Sequence, residues 1–137
     1  MGDWIYNNAK VFITDGVINL ETDTFNLMLV GSNYTPNSGD THANSVAVCQ
    51  TSGTAYSSGG VVIANPTTTL SGGVVKWDAD DAVWSGATFA ANYGIIMSAT
   101  ASGWPLVCGL DFGSGTKSVA GGTFTVQFNA AGILNLT

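Results

Sequence analysis

The acidic segment Asp78-Ala79-Asp80-Asp81 is the first part of the chain whose side chains could do chemistry. Three carboxylates within four residues offer the oxygen ligands that Ca²⁺ prefers. The segment lacks the Asp/Asn alternation, the glycine and the distal glutamate of a calcium-binding loop. The sequence therefore favours a solvated turn between Trp77 and Trp84 over a metal site.

A second segment, Gly113-Ser114-Gly115-Thr116-Lys117-Ser118, resembles a phosphate-binding loop at first sight. In that motif a glycine directly precedes the lysine and a helix follows. Here Thr116 precedes Lys117, and the residues that follow have no helical pattern. We expect a flexible hairpin loop at this point, with no bound phosphate.

The single histidine follows a carboxylate in Asp40-Thr41-His42. A Ser–His–Asp site needs a nucleophile on a strained turn, and the chain has no Gly-x-Ser-x-Gly element. A loop histidine, exposed or packed at an interface, is the preferred interpretation. A glycan hydrolase using two of the carboxylates of Asp78, Asp80, Asp81 and Asp111 is the enzymatic alternative, and we expect no enzyme activity and no cofactor.

The charge of the chain excludes several classes of partner. Only 9% of the 137 residues are charged, and three lysines with no arginine face nine acidic residues, which gives a net charge of −6. Phosphate neutralisation needs several cations on one face, so neither nucleic acid nor an anionic membrane is an expected partner. Residues 1–8 have neither the basic nor the apolar region of a signal peptide.

The length and patterning predict one all-β domain over residues 1–137. Ile5, Ala9 and Ile13 share one face of a short N-terminal helix that Gly16 ends. Short strand-like runs separated by Gly, Pro, Asn and Ser then predict an antiparallel, jelly-roll-like β-sandwich or barrel. The predicted strands are Phe25–Val30, Ser45–Thr51, Val61–Ala64, Val74–Trp77, Phe89–Met97, Leu106–Phe112, Thr123–Asn129 and Ile133–Thr137.

The two cysteines, Cys49 and Cys108, lie within apolar runs. Two buried thiols are the preferred interpretation, because a disulfide needs an oxidising compartment. No apolar run approaches the roughly 20 residues of a membrane-spanning helix, so we expect no membrane partner.

The scarcity of charge predicts that much of the surface is covered by neighbouring molecules, since a free monomer usually depends on charge for solubility. The elements chosen as contacts are the helix near Trp4, the loop Gly31–Asp40 and the loop that carries Trp104. Aromatic side chains anchor many interfaces. The predicted interface residues are Trp4, Tyr34, His42 and Trp104.

Several blocks of the chain resemble small virion structural proteins of tailed bacteriophages, and together they span most of its length. The blocks are Asp15–Leu20, Asp23-Thr24, Ser32–Pro36, Asp40–His42, Trp77–Phe89, Pro105–Gly113 and Gly122–Leu134. One departure is Asn92, which precedes Tyr93 where the relatives are expected to carry an arginine.

This resemblance implies a non-enzymatic virion protein, with a capsid decoration (cement) protein as the leading assignment. Such a protein would be made in the host bacterial cytoplasm, form a trimer and bind the major capsid protein on the outside of the head. The alternative is a tail or head-fibre subunit, or a virion module that binds host glycans.

Overall fold

Ten antiparallel strands and two short helices form the fold in the computed structural model, which describes residues 3–136. This confirms an all-β architecture with a short N-terminal helix. The helices are α1 (Asn7–Thr14) and α2 (Asn44–Ala47). The strands are β1 (Trp4–Ile5), β2 (Phe25–Val30), β3 (Val61–Val62), β4 (Thr67–Ser71), β5 (Val74–Asp78), β6 (Ala82–Ala91), β7 (Tyr93–Ser98), β8 (Leu106–Asp111), β9 (Lys117–Val126) and β10 (Leu134–Leu136).

A five-stranded sheet in the order β1-β8-β7-β2-β3 forms the central layer. All six residues of β2 are buried, which explains why its sequence is a continuous apolar run and not an alternating one. Leu27 and Leu29 face one hydrophobic core, whereas Met28 and Val30 face another. The sheet is therefore covered on both faces.

One face of the central sheet is covered by two smaller sheets, β10-β5-β4 and β6-β9. The residues between these layers form what we call the first core. Trp77 is fully buried at its centre, its ring centroid lies 4.8 Å from that of Phe25, and its indole N–H donates to the carbonyl of Leu20 at 2.9 Å. The hydrogen bond satisfies the one polar atom of the tryptophan side chain.

The opposite face is covered by both helices and by loops, and we call the residues there the second core. Its buried members are Tyr6, Ala9, Met28, Val30, Tyr34, Val46, Ile95, Met97 and Leu106. The molecule therefore has three layers: the small sheets, the central sheet, and a layer of helices and loops.

The predicted strand Ser45–Thr51 is wrong, because α2 occupies its first half. The amide of Ala47 donates to the carbonyl of Ala43 at 2.8 Å, as in a helical turn. A strand would place Val46 and Val48 on the same face, but Val46 is fully buried and Val48 is 81% exposed. Four residues are too few for the helical period to show in the sequence.

The predicted long strand Phe89–Met97 is two strands in two different sheets. β6 ends at Ala91, and β7 begins at Tyr93 in the central sheet. At the break, the amide of Asn92 donates to the carbonyl of Val30 at 2.9 Å. Phe89 faces the first core, whereas Ile95 faces the second. The period-two pattern therefore does not continue across Asn92.

The remaining helices, strands and connections differ less from those predicted from the sequence. Ile5 belongs to β1, so the N-terminal helix is two turns long. The uncharged, threonine-rich β4 carries no apolar alternation that could have predicted it. The segment 113–116 joins the central sheet to the two-stranded sheet, so the expected hairpin loop is wrong. The alternation in β9 is confirmed, with Val126 buried and Thr125 exposed.

Candidate contact surface

The elements predicted to make contacts are brought together in the layer of helices and loops. Trp4, Tyr34 and Trp104 all belong to the second core or pack against it. The rings of Trp4 and Tyr34 are stacked, with centroids 6.5 Å apart and planes 22° from parallel. Residues separated by as many as 100 positions in the chain therefore share one side of the molecule.

A chain of hydroxyl groups holds the Gly31–Asp40 loop against the N-terminal segment. The hydroxyl groups of Tyr6 and Tyr34 lie 2.8 Å apart, and the hydroxyl of Tyr34 donates to a carboxylate oxygen of Asp40 at 3.3 Å. Burial raises the pKa of both tyrosines, so both hydroxyl groups stay protonated. Tyr34 is only 4% exposed, and we therefore leave its ring out of the contact surface.

His42 links the Trp104 loop to α1. An isolated bridge pairs His42 with Pro105, and the amide of Leu106 donates to the carbonyl of Thr41 at 2.9 Å. The half-buried imidazole lies 5.7 Å from the ring of Phe12, and its Nδ1 lies 2.9 Å from the hydroxyl of Thr41. The histidine is thus held by loop packing, while the Asp40 carboxylate bonds to a tyrosine.

Trp104 adopts a backbone conformation that is uncommon for a residue with a side chain. Its φ is +52°, and its carbonyl accepts a hydrogen bond from the amide of Ala43 at 3.0 Å. The half-buried indole packs against the second core and lies beside Gly59. Unusual backbone angles of this kind persist only where the surrounding structure holds them, and they occur often at binding sites.

The surface around these residues has very little charge. It is formed by segments 7–14, 31–50 and 99–105, in which Lys10 and Asp40 are the only charged residues. Two exposed valines, Val11 at 52% and Val48 at 81%, lie within it. The remaining exposed residues carry mainly hydroxyl and amide groups. We call these segments, without the buried side chain of Tyr34, the contact surface.

The acidic segment begins at Asp78, the last residue of β5, and residues 79–81 connect β5 to β6. Carboxylates of this segment bond within the chain. The side-chain amide of Asn65 donates to Asp80 at 2.6 Å, and the amide of Phe128 donates to Asp81 at 2.9 Å. Across residues 3–136, His, Cys, Asp and Glu side chains form no group of three or more that could hold a metal ion.

Sequence reasoning missed a groove of about 540 Å³ between the end of β8 and the second half of β9. Asp3 reaches its rim, where one carboxylate oxygen accepts the amide of Asp111 at 2.9 Å. The apolar part of its lining comprises Leu110, Phe112, Phe124, Val126, Phe128, Ala130 and Ile133. The alternation of apolar and polar residues through Phe124 and Phe128 was the one sequence signal for this groove. That pattern places both phenylalanines on the face of the strand that is turned to the core.

Both cysteines are free thiols, but the expectation of two buried thiols is right for Cys108 only, because Cys49 is half-buried. Cys108 is fully buried in β8, and burial together with the nearby Asp3 carboxylate raises its pKa to about 12. Cys49 is half-buried, and its Sγ lies 3.5 Å from the carbonyl oxygen of Asn33. The Cys108 thiol therefore stays protonated and unreactive at neutral pH.

Comparison with protein-family models, with curated proteins and with solved structures gives no match. Neither helix within residues 3–136 has the length and apolar character needed to cross a membrane.

Proposed function

We propose that this chain is a non-enzymatic structural protein of a tailed-phage virion. Within that class we favour a decoration protein that binds the major capsid protein on the outside of the head. The observation that carries the proposal is the contact surface, where loops and a helix far apart in the chain meet on one side of a rigid sheet with almost no charge.

Such a surface suits permanent burial against a large partner. Burying an unpaired charge costs several kcal/mol, whereas hydroxyl and amide groups need only a matching hydrogen bond. Of the nine acidic residues, Asp40 alone lies in the contact surface, and its carboxylate accepts a hydrogen bond from Tyr34. The surface can therefore be desolvated at a lower cost than the rest of the molecule.

The layered fold supports the same role. The contact surface lies over a central sheet that is buried on both faces, so its loops are held in one arrangement before binding. Preformed surfaces lose less conformational entropy on association. Binding to the assembled shell then stabilises the shell by mass action and requires no catalytic group.

Binding to phage heads that lack the protein tests the proposal. We expect the purified chain to saturate such heads at a copy number close to that of the major capsid protein and to raise their unfolding temperature. Val48→Lys introduces a charge into the contact surface and should weaken binding at least tenfold, which corresponds to about 1.4 kcal/mol. The matched control is Val83→Lys, because Val83 is 52% exposed on β6, outside that surface.

Two results would contradict the assignment to the head. One is a copy number limited to a single vertex or to the tail. The other is equal binding by the Val48→Lys and Val83→Lys variants.

A glycan-binding module of the tail or fibre is the second candidate, and the half-buried indole of Trp104, held on a loop, favours it. Aromatic rings that are held on a loop present a flat apolar face on which a sugar can stack. Trp104→Ala would then abolish retention on host surface polysaccharide, whereas Val83→Lys, which lies outside the contact surface, would retain it. Retention that is undetectable for the unsubstituted protein would remove this candidate.

A further inference from the structure

β9 has one edge that no other strand of residues 3–136 covers. It pairs with β6 along its other edge in a two-stranded sheet. The far edge of β6 is covered around residues 88–90, where the amide of Thr54 donates to the carbonyl of Thr88 at 3.0 Å and the hydroxyl of Thr51 donates to the carbonyl of Ala90 at 2.7 Å. The groove adjoins β9 at Lys117 and over residues 124–126, and continues along residues 127–130.

The end of β9 and the residues just beyond it line the groove, with Thr125, Val126 and Gln127 among the lining residues. The amide of Phe128, two residues past β9, donates to the side chain of Asp81, which directly precedes β6. In an antiparallel strand the N–H and C=O of one residue point the same way, and neighbouring residues alternate. On this alternation, Phe128 and Val126 are assigned to the side of β6 and Thr125 to the side of the groove.

The groove offers these backbone groups beside an apolar floor. The rings of Phe112 and Phe124 meet there with centroids 6.1 Å apart. The charged rim is already engaged within the chain: the amide of Gly113 donates to Asp111 at 2.9 Å, and the Lys117 ammonium donates to the carbonyl of Ser114 at 3.3 Å. An uncovered strand edge next to apolar side chains fits an added β-strand better than a polar small molecule.

The same chain also has an exposed, uncharged edge strand that could pair with the free edge of β9. β4 is the edge of the three-stranded sheet, and its five residues, Thr67–Ser71, carry no charge. Leu70 on this strand is 72% exposed. Across the sheet, Leu70 and the 41% exposed Leu136 share Val75 as register partner. Natural edge strands are usually protected by lysine, proline or a bulge, and β4 has none of these within its span.

We infer that β4 of one copy adds to the free edge of β9 in the next copy, with Leu70 placed against the apolar floor of the groove. The two surfaces differ, so the contact is head-to-tail, and copies related by a closing rotation form a ring. This deepens the proposed function by assigning the contact between copies. It does not depend on capsid binding, because both surfaces lie outside the contact surface.

Sedimentation of the full chain over a range of concentrations tests this contact. We expect the unsubstituted protein to associate. Leu70→Lys places a charge on the inserted strand, and Thr125→Pro removes a backbone N–H from the part of β9 that lines the groove. Each variant should associate at least tenfold more weakly, while Val48→Lys, which alters the contact surface, should associate normally.

Mixing the two defective variants gives a sharper result. The Leu70→Lys chain keeps an intact β9 edge, and the Thr125→Pro chain keeps an intact β4. A head-to-tail contact therefore predicts dimers in the mixture and monomers in each separate sample. Circular dichroism and urea unfolding of each variant show whether the fold is retained.

The inference is overturned if the unsubstituted protein stays monomeric at every concentration, or if folded variants associate as it does. A mixture that stays monomeric would also overturn it. A Thr125→Pro variant that associates normally but no longer binds host polysaccharide would also overturn the inference. The groove would then be a saccharide site and not a contact between copies. Loss of capsid binding by Val48→Lys with normal association tests the proposed function separately.

Discussion

The indole ring of Trp4 lies in the space that a side chain at Gly109 would occupy. The two residues are register partners in the pairing of β1 with β8, and a Cβ built on Gly109 overlaps the six-membered ring of Trp4. Gly109 is fully covered by this ring and its neighbours. The absence of a side chain at position 109 therefore allows β1 to close the edge of the central sheet.

Gly109→Ala should lower the free energy of unfolding by about 1–3 kcal/mol, because the new methyl group forces the indole out of its place. Urea unfolding measures the change. Gly122→Ala is the matched control in β9, where the added Cβ would meet only Val119 Cγ2 at 3.3 Å. In a Trp4→Ala background the penalty at position 109 should shrink, and equal penalties in both backgrounds would disprove the contact.

Tyr34→Phe should destabilise the fold by about 1–2 kcal/mol, because it removes the hydroxyl between Tyr6 and Asp40 and leaves buried polar groups without that partner. Thermal and urea unfolding provide the measurement. Tyr93→Phe is the control, since Tyr93 packs in the same aromatic cluster and its hydroxyl bonds to no other residue described. Equal stabilities of the two variants would argue against the hydroxyl chain.

One thiol per chain should react in the folded protein. Cys49 is half-buried, whereas Cys108 is fully buried with its pKa raised to about 12. Titration with a chromogenic disulfide near pH 8 should release one equivalent quickly and a second only after denaturation. Cys49→Ala should remove the fast phase, and a fast phase that persists in this variant would show that β8 opens readily.

The protein should lose stability in alkaline solution. Burial raises the pKa of Cys108 from 9.0 to about 12 and that of Tyr56 from 10.0 to about 12. The folded state therefore holds these protons more tightly than the unfolded state. Their contribution is fully present below about pH 9 and falls as the pH rises toward 12, by up to about 1.4 kcal/mol per pH unit for each group.

Unfolding measured in urea at a series of pH values checks this dependence. Tyr56→Phe should make the decline between pH 10 and 12 less steep, and Cys108→Ala should do the same from pH 9 upward. A decline that is unchanged in both variants would assign the alkaline sensitivity to other groups, such as the buried Tyr6, whose pKa is also raised.

The local sequence pattern was sufficient to predict a strand where one face of the strand is clearly polar or where the whole run is apolar. The alternation through Phe124 and Val126 predicted a half-buried strand, and the run Phe25–Val30 predicted a strand buried on both faces. Both predictions need only the pattern of apolar and polar residues, because that pattern can be read from residues that are neighbours in the sequence. The connection at 79–81 was predicted in the same way, from its composition.

Short segments were not predictable from local pattern, because too few residues show a period. Val46 and Val48 would share a face in a strand, and only packing of α2 against the central sheet buries one and exposes the other. Asn92 carries no sequence signal for a change of sheet. The carbonyl of Val30, 62 positions earlier in the chain, accepts the Asn92 amide where the chain passes from one sheet to the other.

The sequence by itself determined the β-rich class, the scarcity of charge and the candidate contact residues. Only the tertiary structure decided that Trp4, His42 and Trp104 lie in one layer, that Tyr34 is internal, and that β9 has an open edge beside a groove. The reason is physical: periodicity specifies which side chains avoid water, whereas strand pairing and loop convergence depend on partners far away in the chain.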